Sequence, residues 1–92
     1  MFADLVRAWR LGIKFESSSD RILSHPAFRR IVAMGEHVIP LILREIQHDP
    51  DHLSFALREI TGASPVPPGA AGNMPRIAAL WLDWGRKHGY VW

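Results

Sequence analysis

The residues that could carry metal chemistry lie close together in the middle of the chain. They are His48, Asp49, Asp51 and His52, whose side chains are of the types that bind zinc and other divalent cations. Pro50 separates the two histidines and favours a helix boundary between them, so they do not share one helical face. We interpret these residues as helix ends and solvated polar groups. The sequence predicts no metal and no cofactor.

Nucleophilic and anion-binding chemistry have one candidate group each. The serines at 17–19 and His25 have the types of a nucleophile and a base, but no strand-to-helix elbow surrounds them, so we interpret the serines as a polar linker. Gly69, Gly72 and Asn73 precede a predicted helix but lack the lysine of a phosphate-binding loop. An anion at that helix start remains an alternative. We predict no catalytic residue and no enzymatic activity.

The C-terminal end of the chain is rich in aromatic and basic residues. Three of the four tryptophans lie there. Tryptophan, tyrosine and arginine dominate the energetics of protein interfaces. The helical spacing of Trp81 and Trp84 fits a core stripe equally well, whereas Trp92 is predicted to make contacts. The predicted partner-binding residues are Trp81, Trp84, Arg86, Tyr90 and Trp92.

A second set of residues favours a different ligand. Arg7, Arg10, Arg29 and Arg30 would form a basic face if the first two long helices pack side by side, and such a face is typical of nucleic-acid binding. Acids such as Asp4 interrupt this set, and the net charge is only +2. Nucleic acid is therefore the alternative partner.

Length and composition set the frame for both hypotheses. The chain has 92 residues, 48% of them apolar and 22% charged, which is the composition of one globular domain. It contains no cysteine, so disulfides and thiolate chemistry are excluded. The longest apolar stretch, 38–43, is six residues, far below the roughly 18 to 20 of a membrane span. We predict a soluble cytoplasmic protein without membrane contact.

Apolar residues at helical spacing predict about five helices. They cover approximately 3–14, 26–34, 36–48, 50–61 and 73–88, with a short turn near 22–23 and a proline-rich loop at 63–73. Ser24 and Asp49 are predicted N-caps, each followed by a proline after one or two residues. Gly35 and Gly62 are predicted to end helices.

The segment 34–43, MGEHVIPLIL, resembles the turn and second helix of a HEAT repeat of the phycobilisome-lyase type, in which a glycine is followed by Ile-Pro and leucines. The segment 49–51 resembles the link to a next repeat, whose turn is replaced here by the proline-rich loop. With HPAF at 25–28, ALREITG at 56–62 and WLDWG at 81–85, the chain resembles a group of small bacterial proteins of unknown function.

The resemblance implies an all-α fold, a short HEAT-like array of α-α hairpins in a right-handed superhelix. We expect one domain over 1–92, with an N-terminal helix and linker at 1–23, a hairpin at 24–48 and an irregular hairpin at 49–92. HEAT-like arrays mostly serve as protein-binding scaffolds. Our hypothesis is a non-enzymatic module that binds a protein partner or itself, and nucleic-acid binding is the alternative.

Overall fold

The computed structural model describes residues 1–92 and contains helices but no strand, which confirms the all-α prediction. Six α-helices are present rather than five. They are α1 (Phe2–Gly12), α2 (Ser19–Ser24), α3 (Pro26–Ala33), α4 (Ile39–His48), α5 (Ser54–Thr61) and α6 (Met74–Lys87). Two 3₁₀ turns lie at Gly35–Val38 and Pro68–Ala70.

The additional helix, α2, is held in place by a tryptophan of α1. Trp9 has no exposed surface, and its Nε1 donates a hydrogen bond of 2.8 Å to the carbonyl oxygen of Ile22. The Trp9 ring also packs against Phe28 of α3, with the ring centroids 5.4 Å apart. A short segment predicted as a connecting turn is therefore an ordered helix, because a buried indole fixes its backbone.

The central helix, α4, begins later than its apolar pattern predicted. Residues 35–38 form a 3₁₀ turn, and the α-helix starts at Ile39 with Pro40 in its first turn. A proline is tolerated there because the first amides of a helix have no partner within it. Gly35 has a φ of 72°, the left-handed conformation predicted at this helix end. Gly62 adopts the same left-handed conformation after α5, with a φ of 73°.

The predicted cap of α3 was wrong by one residue. Nδ1 of His25 accepts a hydrogen bond of 3.1 Å from the amide of Ala27. The Ser24 hydroxyl donates instead to the carbonyl oxygen of Arg21, at 3.4 Å. Ser24 is the last residue of α2, so it ends one helix rather than beginning the next.

The predicted start of α5 was also wrong. Asp49 caps nothing there, and α5 begins at Ser54. Asp51 forms the local turn, because its Oδ1 accepts from the amide of Leu53 at 3.0 Å. Its second carboxylate oxygen accepts from Nε of Arg10, also at 3.0 Å. This long-range bond ties the turn to α1.

The helices pack in two rows. α1 lies on α3 and α3 lies on α5, while α4 lies on α6 and also contacts α5. The proline-rich loop crosses from α5 to α6, and its 3₁₀ turn buries Ala70. Asn73 then caps α6 by accepting from the amide of Arg76 at 3.1 Å. None of the helices has the length and apolar content needed to cross a membrane.

An arginine and three carboxylates join α1 to the middle of the chain. Arg10 donates from Nη1 to Glu45 at 2.8 Å and from Nε to Asp51, and Asp49 lies 3.8 Å away. The Arg10 side chain is only 28% exposed. Burial by itself would lower the pKa of Arg10, but the carboxylates of Asp51, Glu45 and Asp49 outweigh it and raise that pKa. The guanidinium therefore stays charged and ties α1 to α4.

Removal of this guanidinium is expected to destabilise the fold. Arg10→Met keeps the apolar stem but leaves three carboxylates without their shared cation, so the free energy of unfolding should fall by roughly 1 to 3 kcal/mol. Arg7→Met on the same helix is the matched control, because Arg7 is 71% exposed and makes one long contact with Asp4. It should change stability by less than about 0.5 kcal/mol. Urea denaturation followed by circular dichroism measures both. Equal effects of the two variants would show that the Arg10 contacts are not stabilising.

Candidate partner-binding surface

The two tryptophans of α6 occupy different environments. Trp81 is 3% exposed and belongs to the core, whereas Trp84 is half-buried at the surface. Their rings meet edge to face, with centroids 5.3 Å apart and an interplanar angle of 75°. Helical spacing could not separate them, but the structure does: only Trp84 presents its ring to a surface groove that also includes the C-terminal tail.

Trp84 is the centre of an aromatic stack formed when the chain reverses after α6. The His88 ring stacks on it at 4.4 Å, and the Tyr90 ring at 5.7 Å. Gly89 has a φ of 81°, and the amide of Tyr90 donates to the carbonyl oxygen of Gly85 at 3.0 Å. This turn brings the tail back beside the helix. The predicted residues Trp84 and Tyr90 are therefore in contact.

Trp92 is held by its own chain. Its Nε1 donates a hydrogen bond of 2.6 Å to the side-chain oxygen of Gln47 in α4, and the exposed guanidinium of Arg86 lies 5.4 Å from its ring centroid. The ring covers Gly85, where a Cβ would lie 3.1 Å from it. Arg86 and Trp92 thus form a second pair of predicted residues, anchored on α4 rather than on the Trp84 stack.

A groove lies between the aromatic stack and the end of α5, with a volume of about 480 Å³. We call it the aromatic groove; it is lined by Glu36, Ile60, Thr61, Gly62, Ala63, Trp84, His88 and Tyr90. Glu36 is exposed and makes no ion pair within the chain. The groove therefore combines aromatic rings with one free carboxylate.

The four arginines of the nucleic-acid alternative do not come together as free cations. Arg10 is bound by carboxylates, and Arg29 pairs with Glu59, whose hydrogen bond raises the pKa of Arg29. Arg7 contacts Asp4 at 3.5 Å. The fourth, Arg30, is exposed without a carboxylate partner. The first long helix does lie on α3 as expected, but much of the positive charge is neutralised within the chain.

Several of the residues considered for metal or nucleophilic chemistry make structural contacts within the chain. No group of three or more His, Cys, Asp or Glu side chains is arranged to hold a metal ion. The His52 ring packs against Phe55, with centroids 5.5 Å apart. The amides of Ser17 and Ser18 both donate to Glu16 at 3.1 Å. His25 caps α3 and lies against Gly12, where no side chain would fit.

Two surface features were missed in the sequence. Leu11 and Phe15 are 69% and 94% exposed at the end of α1. Leu11 lies two residues after the buried Trp9 and is therefore off the apolar stripe. This position indicates exposure from the sequence alone. The second feature is a cavity under the proline-rich loop that involves Phe55 and Arg58. Its walls come from α5, the loop and α6 together, so no pattern within a single segment could indicate it.

Comparison of the chain with protein-family models, curated proteins and solved structures finds no match. The fold and the surface geometry are therefore the basis for assigning a function.

The tail-bearing half of this surface depends on Gly85, and a substitution there tests the packing. A Cβ at Gly85 would lie 2.8 Å from Cδ1 of Leu43 and 3.1 Å from the Trp92 ring. Gly85→Ala should gain up to about 1 kcal/mol in helix propensity but lose about 1 to 3 kcal/mol through overpacking. We expect a net loss of roughly 1 kcal/mol in the free energy of unfolding and a changed near-ultraviolet tryptophan signal.

Gly69→Ala is the control, since a Cβ there meets no atom within 4 Å. It should leave both measurements unchanged. If Gly85→Ala is as stable as the unmodified protein, α6 does not approach α4 as closely as described.

Proposed function

We propose that this protein is a non-enzymatic interaction domain that binds a protein partner through the aromatic groove. We further propose that its fold is a short HEAT-like array. The helix α3 is joined to α4 by the 3₁₀ turn at Gly35–Val38, and α5 contacts α6. The contacts of α3 with α5 and of α4 with α6 support the proposal, because they are those expected when successive hairpins stack. In such a short array, end helices have faces that no further repeat covers.

The observation that carries the proposal is the position of Trp84 and Tyr90. A small domain gains most from aromatic side chains by burying them fully, as it does with Trp9. Trp84 and Tyr90 are instead half-buried along an open groove, where their apolar surface can be buried by a second molecule. Aromatic residues in this state are enriched in protein interfaces.

The charge of the groove narrows the chemistry of the partner. Glu36 is the one fully charged side chain that lines it, and it lacks an intramolecular cation. A partner segment with an apolar side chain beside a lysine or arginine would complement both the rings and the carboxylate. We therefore propose a basic, apolar peptide segment as the ligand. The partly neutralised arginines of α1 and α3 offer no comparable support for nucleic acid.

A peptide selection with the full chain tests this function. Phage-displayed random peptides selected on the immobilised protein should be enriched in basic and apolar residues. For synthetic copies of the selected peptides, Tyr90→Ala and Glu36→Gln should each weaken binding by about tenfold, because each removes one of the proposed contacts. Fluorescence anisotropy with labelled peptides gives the dissociation constants.

Phe15→Ser is the matched control, since it removes an exposed aromatic side chain outside the groove. It should leave peptide affinity unchanged. Thermal melts of all variants separate loss of binding from loss of fold. Peptides that bind Tyr90→Ala and Glu36→Gln as tightly as the unmodified protein would refute the groove as the binding surface. Concentration-dependent dimerisation abolished by Tyr90→Ala would instead identify a second copy as the partner.

A further inference from the structure

A second cavity lies where the proline-rich loop crosses α5 and α6. We call it the loop cavity; its volume is about 390 Å³, and its lining includes Phe55, Arg58, Val66, Pro67, Ile77 and Trp81. This volume falls within the roughly 300 to 1,000 Å³ typical of small-ligand sites. None of the residues that line it also lines the aromatic groove. The loop cavity is therefore a separate candidate site.

The walls of the loop cavity are apolar and largely preformed. Trp81 and Ile77, each 3% exposed, are core side chains of α6, and Phe55 of α5 is half-buried. Pro67 and Pro68 form the loop side, where their rings restrict the backbone. A ligand entering such a site has little loop ordering to drive, which favours binding.

One charge faces this apolar space. Arg58 lines the cavity, is exposed, and forms no ion pair with any carboxylate of the chain. The loop residues 63–73 carry no charged side chain, so nothing within the loop neutralises it. The neighbouring acid on α5, Glu59, is already paired with Arg29. A guanidinium in this position can bind a carboxylate through two parallel hydrogen bonds.

We propose that the loop cavity binds a small carboxylate ligand with an aromatic or branched apolar tail. The tail lies against Phe55, Ile77 and Trp81, and the carboxylate accepts hydrogen bonds from Arg58. The hydroxyl of Ser64, which also lines the cavity, supplies a further donor. This site is independent of the aromatic groove and of the proposed protein partner.

An NMR titration of the isotope-labelled full chain tests the proposal with two matched probes. 3-Phenylpropionate has the proposed chemistry, and 3-phenylpropan-1-ol has the same tail without the charge. The acid should cause saturable shifts of amides in 63–73 and of the Trp81 indole, with a millimolar or lower dissociation constant. The alcohol should bind at least about tenfold more weakly, because it lacks the charge-assisted hydrogen bonds.

Variants of two arginines assign the charge. Arg58→Gln should reduce the affinity for the acid to that for the alcohol, while Arg58→Lys should retain part of the preference as a point charge. Arg76→Gln is the control, since Arg76 is exposed on α6 but does not line the cavity. Its affinities should equal those of the unmodified protein. The amide spectra of the variants outside the cavity show whether the fold is intact.

Four outcomes would overturn the proposal. The first is equal binding of acid and alcohol to the unmodified protein, and the second is an acid preference that survives in Arg58→Gln. The third is shifts that track carboxylate concentration near all exposed arginines, which would indicate weak non-specific anion binding. The fourth is binding in the cavity of a peptide with a C-terminal phenylalanine but not of 3-phenylpropionate, which would show that the occupant is a polypeptide.

Discussion

The complete burial of the apolar face of α4 is the constraint on which the rest of the structure depends. Ile39, Ile42, Leu43 and Ile46 have no exposed surface and lie on one face of the helix, so this face must be covered along its whole length. A chain of 92 residues buries only about 60 to 65% of its unfolded surface, so few helices are present to cover this face. α5 and α6 therefore both pack on α4, and α1 reaches it through Arg10. The helices α1 and α2 both pack on α3, and α3 packs on α5.

The candidate surfaces are consequences of that packing. α6 approaches α4 closely because Gly85 has no side chain to collide with Leu43. The same gap admits the Trp92 ring, and the tail then runs back along α6 with Tyr90 against Trp84. The proline-rich loop connects α5 to α6. Apart from the 3₁₀ turn at Pro68–Ala70 it forms no helix, and the loop cavity lies beneath it.

Periodic spacing was enough to predict the helical segments that face the core, and backbone chemistry was enough for the turns at Gly35 and Gly62. The His25 cap is a local contact with the amide of Ala27, and it replaces the more usual cap residue type at Ser24. Two other errors share one physical cause. The helix α2 and the Asp51 turn before α5 each depend on a side chain distant in sequence, Trp9 for α2 and Arg10 for the turn. Local propensity does not contain such contacts, so no pattern in these short segments could have revealed them.

For the candidate sites, the sequence indicated the residue types but not where the side chains lie in the fold. Aromatic and basic composition identified the C-terminal region, but it could not tell the buried Trp81 from the half-exposed Trp84, since both fit one stripe. The sequence did not indicate Arg58 as a ligand-binding residue, because the residues that line the loop cavity come from three segments. Placement also separates the two surfaces chemically. The aromatic groove carries the free carboxylate of Glu36, and the loop cavity carries the free guanidinium of Arg58. Because these charges are opposite, the ligands proposed for the two surfaces carry opposite charges, and each would be repelled by the charge of the other surface.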